Sequence, residues 1–329
     1  MTLPPVLIAL GAVIFGIALL IWAADRLVAG SAALASHFGV PALIIGVTLL
    51  GFGTSAPEMV VSAIASLEGS PGLAIGNALG SNVANIGLIL GATAVVYPLT
   101  IQRSTMIREF PMLLAVMALS VLVMWDFVFQ RYEGVVLLAA LVAVMAVMSM
   151  WSMQQPDADA QMSHLTEEIP TQMAPRMAVF WAAAGLVALP VAAHILVQGA
   201  VSLATMAGVS DAVIGLTIVA LGTSLPELAA AIASAIKRED DLVIGNILGS
   251  NIFNLLGVLG ISAVIAPMAI APELISRDLL VMFVITGLLA VFVWRRAGMG
   301  QLNRLGGGFL LLFFVLYQAV IIASALSGR

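Results

Sequence analysis

The chain has 329 residues, 62% of them hydrophobic and 9% charged, which excludes a soluble globular domain and places it among polytopic membrane proteins. It contains no cysteine, so disulfides, thiolate metal sites and cysteine nucleophiles are excluded. The formal net charge is −5 and no basic tail exists, so nucleic acid is not an expected partner.

A spanning helix needs about 20 apolar residues. Ten stretches meet that rule, near 5–30, 41–68, 71–97, 105–125, 133–152, 175–206, 210–236, 241–266, 278–296 and 305–326. The first lacks the positive flank of a secretory signal and is expected to remain as a helix. One connection is long and polar, from Gln154 to Gln172, with Asp157, Asp159, Glu167 and Glu168. It divides the chain into a five-span unit over 1–153, a polar loop over 154–173 and a second five-span unit over 174–329. Because five is odd, the second unit enters the membrane from the opposite side. That predicts inverted repeats, the architecture in which transporter sites form near the midplane where the halves meet. Arg103, Arg108, Arg176, Lys237, Arg238, Arg295, Arg296 and Arg304 gather at the odd-to-even loops, against Arg131, Arg277 and Arg329 on the other side. The excess predicts a cytoplasmic polar loop and both termini outside.

Two motifs occur twice. Gly53-Thr54-Ser55-Ala56-Pro57-Glu58 returns as Gly222-Thr223-Ser224-Leu225-Pro226-Glu227. Gly76-Asn77-Ala78-Leu79-Gly80-Ser81-Asn82-Val83-Ala84-Asn85 returns as Gly245-Asn246-Ile247-Leu248-Gly249-Ser250-Asn251-Ile252-Phe253-Asn254. In spans two and seven, Gly and Pro bracket a point where the helix is expected to break, since Pro lacks a backbone donor and clashes with the preceding turn. Broken backbone at membrane depth is tolerated where it lines an enclosed or aqueous cavity. Glu58 and Glu227 lie there, and an intramembrane carboxylate is costly unless it faces a partner or a watery site. Arg26 and His194 each stand on one side only and do not account for two symmetric acids. In spans three and eight the repeated small residues suit close helix packing, while Ser81 with Asn85 and Ser250 with Asn254, four apart, put oxygens on one helix face. Asn77 and Asn246 are candidates for bonds across helices. Glu109, Asp126 and Glu133 are expected at solvated membrane edges.

The oxygens of these motifs, two of them carboxylates and none accompanied by cysteine, suit a hard cation accepting 6–8 ligands, calcium or sodium rather than zinc or copper. Magnesium fits less well because it holds its waters and demands octahedral geometry. The paired motifs, on ten spans in two halves, resemble the α-repeats of the sodium/calcium exchanger family, over nearly the whole chain. The resemblance implies an all-α polytopic membrane protein whose ten transmembrane helices form two inverted five-helix repeats with helices 2 and 7 broken. It implies calcium shared by Glu58 and Glu227 with the carbonyls of Thr54 and Thr223. One sodium site is implied near Ser55, Glu58, Ser81 and the Gly51 carbonyl, and its mirror near Ser224, Glu227, Ser250 and the Ala220 carbonyl. Asn85 and Asn254 form a central site, with Asn77 and Asn246 in support. No cofactor is implied beyond the transported calcium and sodium ions, and no obligate protein partner beside membrane lipid, in a prokaryotic inner membrane.

Relatives in potassium-dependent branches carry Asp at the position of Asn254, so a potassium requirement is not expected here. The Gly-Asn-Ala-x-Glu arrangement of the proton/calcium branch is absent, and the polar loop is too short for a calcium-sensing domain. The expected function is electrogenic sodium/calcium antiport by alternating access, with spans one and six sliding against the ligand-bearing core. The alternative is proton-coupled calcium antiport, since burial favours the neutral form of a carboxylic acid. A passive channel is less favoured, because its rings of ligands usually come from symmetric oligomers. No nucleophile–base pair points to an enzyme.

Overall fold

The computed structural model describes residues 5–39, 42–67, 71–153, 173–207, 220–270, 272, 274–294 and 300–326. The predicted polar loop and the first half of the seventh span lie outside the described residues. Eight described helices are long and apolar enough to cross a membrane: α1 (Pro5–Phe38), α4 (Ala74–Val96), α5 (Arg103–Val123), α6 (Arg131–Met148), α7 (Pro175–Leu203), α10 (Asp240–Ile265), α11 (Leu274–Val293) and α12 (Arg304–Ala323). A ninth span is bent, α2 (Gly46–Thr54) and α3 (Ala56–Leu67) meeting at 42°. Between α7 and α10 lie the short α8 (Ala220–Gly222) and α9 (Leu225–Ile236). The result is an all-helical polytopic membrane fold.

Burial separates the helices into two kinds. The spanning windows of α4 and α10 are 72% and 89% buried inside the protein, whereas the other spans bury a third or less. The motif-bearing helices are therefore the core, and Ile14, Phe15, Leu122, Val142, Val291 and Leu305 face outward as a lipid-facing surface requires. Strands tie this core to its neighbours. β1 (Leu99–Ile101), after α4, pairs antiparallel with β4 (Gly300–Leu302), before α12; β2 (Val128–Phe129), before α6, pairs antiparallel with β3 (Met268–Ala269), after α10. The helices repeat the exchange, α4 packing on α12 and α10 on α6. Gly91 lies against the Gly307 carbonyl, and Gly260, 169 residues later, against Leu138 and the Gly134 carbonyl.

The longest helix contact joins α1 to α7, and glycines make it. A Cβ at Gly16 would stand 2.7 Å from the Leu196 nitrogen, and one at Gly185 2.6 Å from the Leu27 nitrogen. The second set behaves alike, Gly30 at 2.5 Å from the Ala182 nitrogen and Gly199 at 2.8 Å from the Ala9 carbonyl. Gly185 and Gly199 stand 169 residues after Gly16 and Gly30, so the two helices meet through the same surface. Backbone atoms cannot yield as a flexible side chain can, and Gly30→Ala is expected to destabilise the pair by about 1–3 kcal/mol. Gly11→Ala, with nothing within 4 Å of the new methyl, should leave the melting midpoint in detergent unchanged or slightly raised. Equal midpoints for the two variants would dismiss the close crossing.

The first helix runs to Phe38, beyond the expected limit near residue 30, because Ala33 and Leu34 are buried against Ala178 and Ala182. Asp25 and Arg26, which interrupt its apolar run, find partners. Asp25 pairs with Lys237 at 2.7 Å, and the Arg26 guanidinium sits 4.9 Å from the Trp181 ring centre. Glu109 corrects another expectation: it is 3% exposed and lies inside the fold, since α10 packs against α5 and covers it. Glu133 is buried too, and accepts the Gln130 backbone N–H at 2.7 Å.

Candidate functional site

The break in the second span is at Ser55, with φ −82° and ψ −1°, and its counterpart Ser224 has φ −90° and ψ 2°. Both values lie near the sparsely populated bridge between helix and strand conformations. The prolines do not themselves form the break. Pro57 and Pro226 stand second in α3 and α9, where a missing N–H costs nothing to the new helix. Their effect is on the helix before: neither can donate to the carbonyl four residues earlier, at Gly53 and Gly222. Glu58 and Glu227 follow in the first turns of α3 and α9, where the positive end of the helix dipole favours a carboxylate.

Each carboxylate helix packs on the opposite half. α3 contacts the stretch Phe253–Val258, which carries Asn254, and α9 contacts Asn85–Leu90. Both stretches are π-helical. A π-turn widens the helix at a place often used functionally, and here it begins at or beside the two central asparagines. On α2 and α10 a close crossing brings the candidate site oxygens together. A Cβ at Gly249 would lie 2.4 Å from the Val47 carbonyl, and one at Gly51 2.9 Å from the Gly249 Cα. That approach sets the Thr54 hydroxyl 3.0 Å from the Leu50 carbonyl, 3.1 Å from Asn246 Oδ1 and 3.3 Å from Ser250 Oγ. Ser250 in turn donates to the Gly51 carbonyl at 3.4 Å. The Thr54 and Ser55 hydroxyls lie beside the Glu227 carboxylate, and Glu58 is within electrostatic reach of it.

Glu58, Glu227, Asn85, Asn254, Ser55, Ser224 and Ser250 are all buried, and Ser81 is 6% exposed. Within this buried set, both Glu58 oxygens, one Glu227 oxygen, Ser55 Oγ and both polar atoms of Asn254 have no hydrogen-bond partner among the described residues. Two buried carboxylates facing neutral oxygens, with no arginine or lysine paired to them among the described residues, are chemically suited to a cation that completes their shell. Among the described residues no group of three or more His, Cys, Asp and Glu converges. The donor set is thus carboxylate, hydroxyl, amide and carbonyl oxygen, which fits a passing hard cation.

Of the sequence-predicted residues, Asn246 bonds across to Thr54, and Asn77 bonds to Ser62 Oγ at 2.9 Å and the Glu58 carbonyl at 3.3 Å. Thr223 and Ser224 form the turn before α9, and Ala220 begins α8. Two buried residues of the repeated motif had no expected role, Asn82 and Asn251. Their signal was the repeat itself, since both positions hold Asn in both copies.

The family model described as sodium/calcium exchanger protein matches residues 8–150 and 177–323. The chain belongs to this family. Sodium/calcium exchanger family members are transporters, and the chain is accordingly a transporter and not an enzyme. The chain is 42% identical to the putative antiporter CaxA of Alkalimonas amylolytica, over 95% of this chain and 98% of that protein. It is 40% identical to the inner membrane protein YrbG of Escherichia coli, over 94% and 97%. Among solved structures, the sodium-calcium exchanger NCX_Mj superposes with a TM-score of 0.81 at 30% identity, covering 95% of this chain and 99% of that one.

Proposed function

We propose that this exchanger-family protein is a secondary antiporter that exchanges sodium for calcium by alternating access. Its ten spans form two inverted five-helix repeats, 1–153 and 174–329, joined by a cytoplasmic connection over 154–173, with both termini outside the inner membrane. The reading is supported by the buried cluster of partnerless oxygens around Glu58 and Glu227, by the family model matching once in each half, and by similarity to a protein named as a sodium-calcium exchanger. Calcium is held by Glu58, Glu227 and the carbonyls of Thr54 and Thr223. Sodium takes Ser55, Glu58, Ser81 and the Gly51 carbonyl on one side, and Ser224, Glu227, Ser250 and the Ala220 carbonyl on the other. Asn85 and Asn254 bound the central position, supported by Asn77 and Asn246. The same two carboxylates cannot satisfy both ion sets at once, so one set leaves before the other enters. Any excess of sodium charge over calcium charge makes the cycle sensitive to membrane potential by about 2.3 kcal/mol per charge per 100 mV.

The packing of the mobile pair favours closure toward the cytoplasm. α1 lies along α9, while its counterpart α7 forms no such face with α3 among the described residues. Asp25 and Lys237 close this contact at 2.7 Å, beside a largely apolar cavity of about 390 Å³ lined by Leu20, Ala24, Leu225, Leu228, Ala229 and Ala233. The pair is 33–45% exposed, so it contributes about 1 kcal/mol or less. Asp25→Asn should therefore raise opening to the cytoplasm by up to about fivefold. The chain has no native cysteine, so labelling of Ala233→Cys by a thiol reagent reads this opening, and equal labelling with and without Asp25→Asn would dismiss the latch.

The deciding experiment is calcium-45 uptake into proteoliposomes loaded with sodium, potassium or protons in excess. Uptake driven by an outward sodium gradient is expected. Equal uptake with a proton gradient alone would replace sodium coupling by proton coupling, a reading that partnerless carboxylates also accommodate.

A further inference from the structure

Asn85 Nδ2 donates to Asn251 Oδ1 at 3.0 Å, from α4 to α10 across the two halves, and both residues are 1% exposed. An amide side chain has one oxygen that attracts a cation and one NH2 group that repels it. Which end faces the ions is therefore a matter of what holds the other end. With its NH2 committed to Asn251, Asn85 keeps its oxygen free for the central position. We propose that Asn251 is the positioning residue that turns the Asn85 oxygen toward a monovalent cation at that position, an inference that rests on the exchange reading above.

The mirrored residues behave differently, which localises the effect. Asn82, 169 residues before Asn251, donates to its own helix, at the Ala78 carbonyl 2.7 Å away. Asn254, the counterpart of Asn85, has neither polar atom bonded among the described residues. One central amide is held and the other is not, although the motif is the same in both copies. Asn251 thus acts through Asn85 on sodium, while calcium relies on Glu58 and Glu227, whose oxygens need no such orientation because both ends of a carboxylate accept.

The test reads binding separately from transport. Purified protein is titrated with sodium, and in parallel with calcium, while the melting midpoint is followed, since a ligand that binds the folded state stabilises it by mass action. Asn251→Leu is expected to raise the sodium concentration for half-maximal stabilisation about tenfold, the size of one lost hydrogen bond to a charged group's ligand, and to move that for calcium less than twofold. Asn251→Asp, which keeps an acceptor, should not weaken sodium and carries the test if the Leu variant fails to fold. Asn82→Leu should leave sodium within twofold. In an Asn85→Asp background both terminal atoms are oxygen, so orientation is immaterial and Asn251→Leu should lose its effect. A purely packing role predicts instead that sodium and calcium shift alike, or that the effect persists beside Asp at 85, and either result overturns the proposal. Wild-type protein that sodium does not stabilise overturns it too. Protein that sodium stabilises but that fails to exchange defeats the exchange reading and leaves Asn251 judged by its own titration.

Discussion

Glu58→Gln and Glu227→Gln should each cut sodium-driven calcium-45 uptake by more than about 100-fold, the result of removing one partner from a buried charge assembly worth about 3–5 kcal/mol. Each carboxylate is 1% exposed, and the oxygens of Glu58 have no partner among the described residues. Both oxygens of Glu58 and one of Glu227 are accordingly left to accept an ion. The same geometry gives the sign of the stability effect. With no ion added, two buried acids within electrostatic reach repel, and a neutral amide in place of one relieves that repulsion. The Gln variants should therefore melt at the wild-type temperature or above it in ion-free buffer, while losing most of the stabilisation that calcium gives the wild type. Uptake within tenfold of wild type by both variants would remove the shared site. A fall in the ion-free midpoint would mean that the carboxylates hold the fold and not the cargo.

Much of this arrangement was legible in the sequence, for identifiable reasons. Long apolar runs mark spanning helices wherever a helix crosses lipid, and a motif repeated at a constant displacement marks equivalent positions whatever the packing. Gly53, Pro57 and Glu58, with their copies, signalled both the broken helix and the costly acid, and the structure has the bend at Ser55 and the matching turn at Ser224. What was not legible depends on partners distant in the chain. Glu109 looked like an edge residue because it follows Arg108 at the end of an apolar run, and its burial comes from α10. The end of α1 was placed too early because the length of a membrane span says nothing of residues 31–38, whose helix is held by packing of Ala33 and Leu34 on Ala178 and Ala182. The π-turns at Asn85–Leu90 and Phe253–Val258 insert no unusual residue, so nothing in composition announces them.

Gly249→Ala carries the second large effect, and it tests how the site is assembled and not what it binds. A methyl at this position would lie 2.4 Å from the Val47 carbonyl, 2.8 Å from its Cα and 2.9 Å from its carbonyl carbon, all backbone atoms of α2 that cannot rotate away. The helices must part by several tenths of an ångström or more, at the crossing where Thr54 reaches Asn246 and Ser250 reaches the Gly51 carbonyl at 3.4 Å. Hydrogen bonds weaken steeply beyond such lengths, and the proposed ion ligands on α2 and α10 separate together. The variant should lose about 1–3 kcal/mol of stability from overpacking and more than about tenfold of calcium uptake, a 1 Å misplacement being enough for such a loss. Gly287→Ala is the control, since Gly287 is exposed on α11 with nothing within 4 Å of a new methyl, and a helical Gly→Ala there should be neutral or stabilising by about 0.5–1 kcal/mol. The proportion of the two losses carries the mechanism. Uptake that falls while calcium-dependent stabilisation survives would mean that the crossing serves movement, whereas loss of both means that close approach of α2 and α10 builds the ion site.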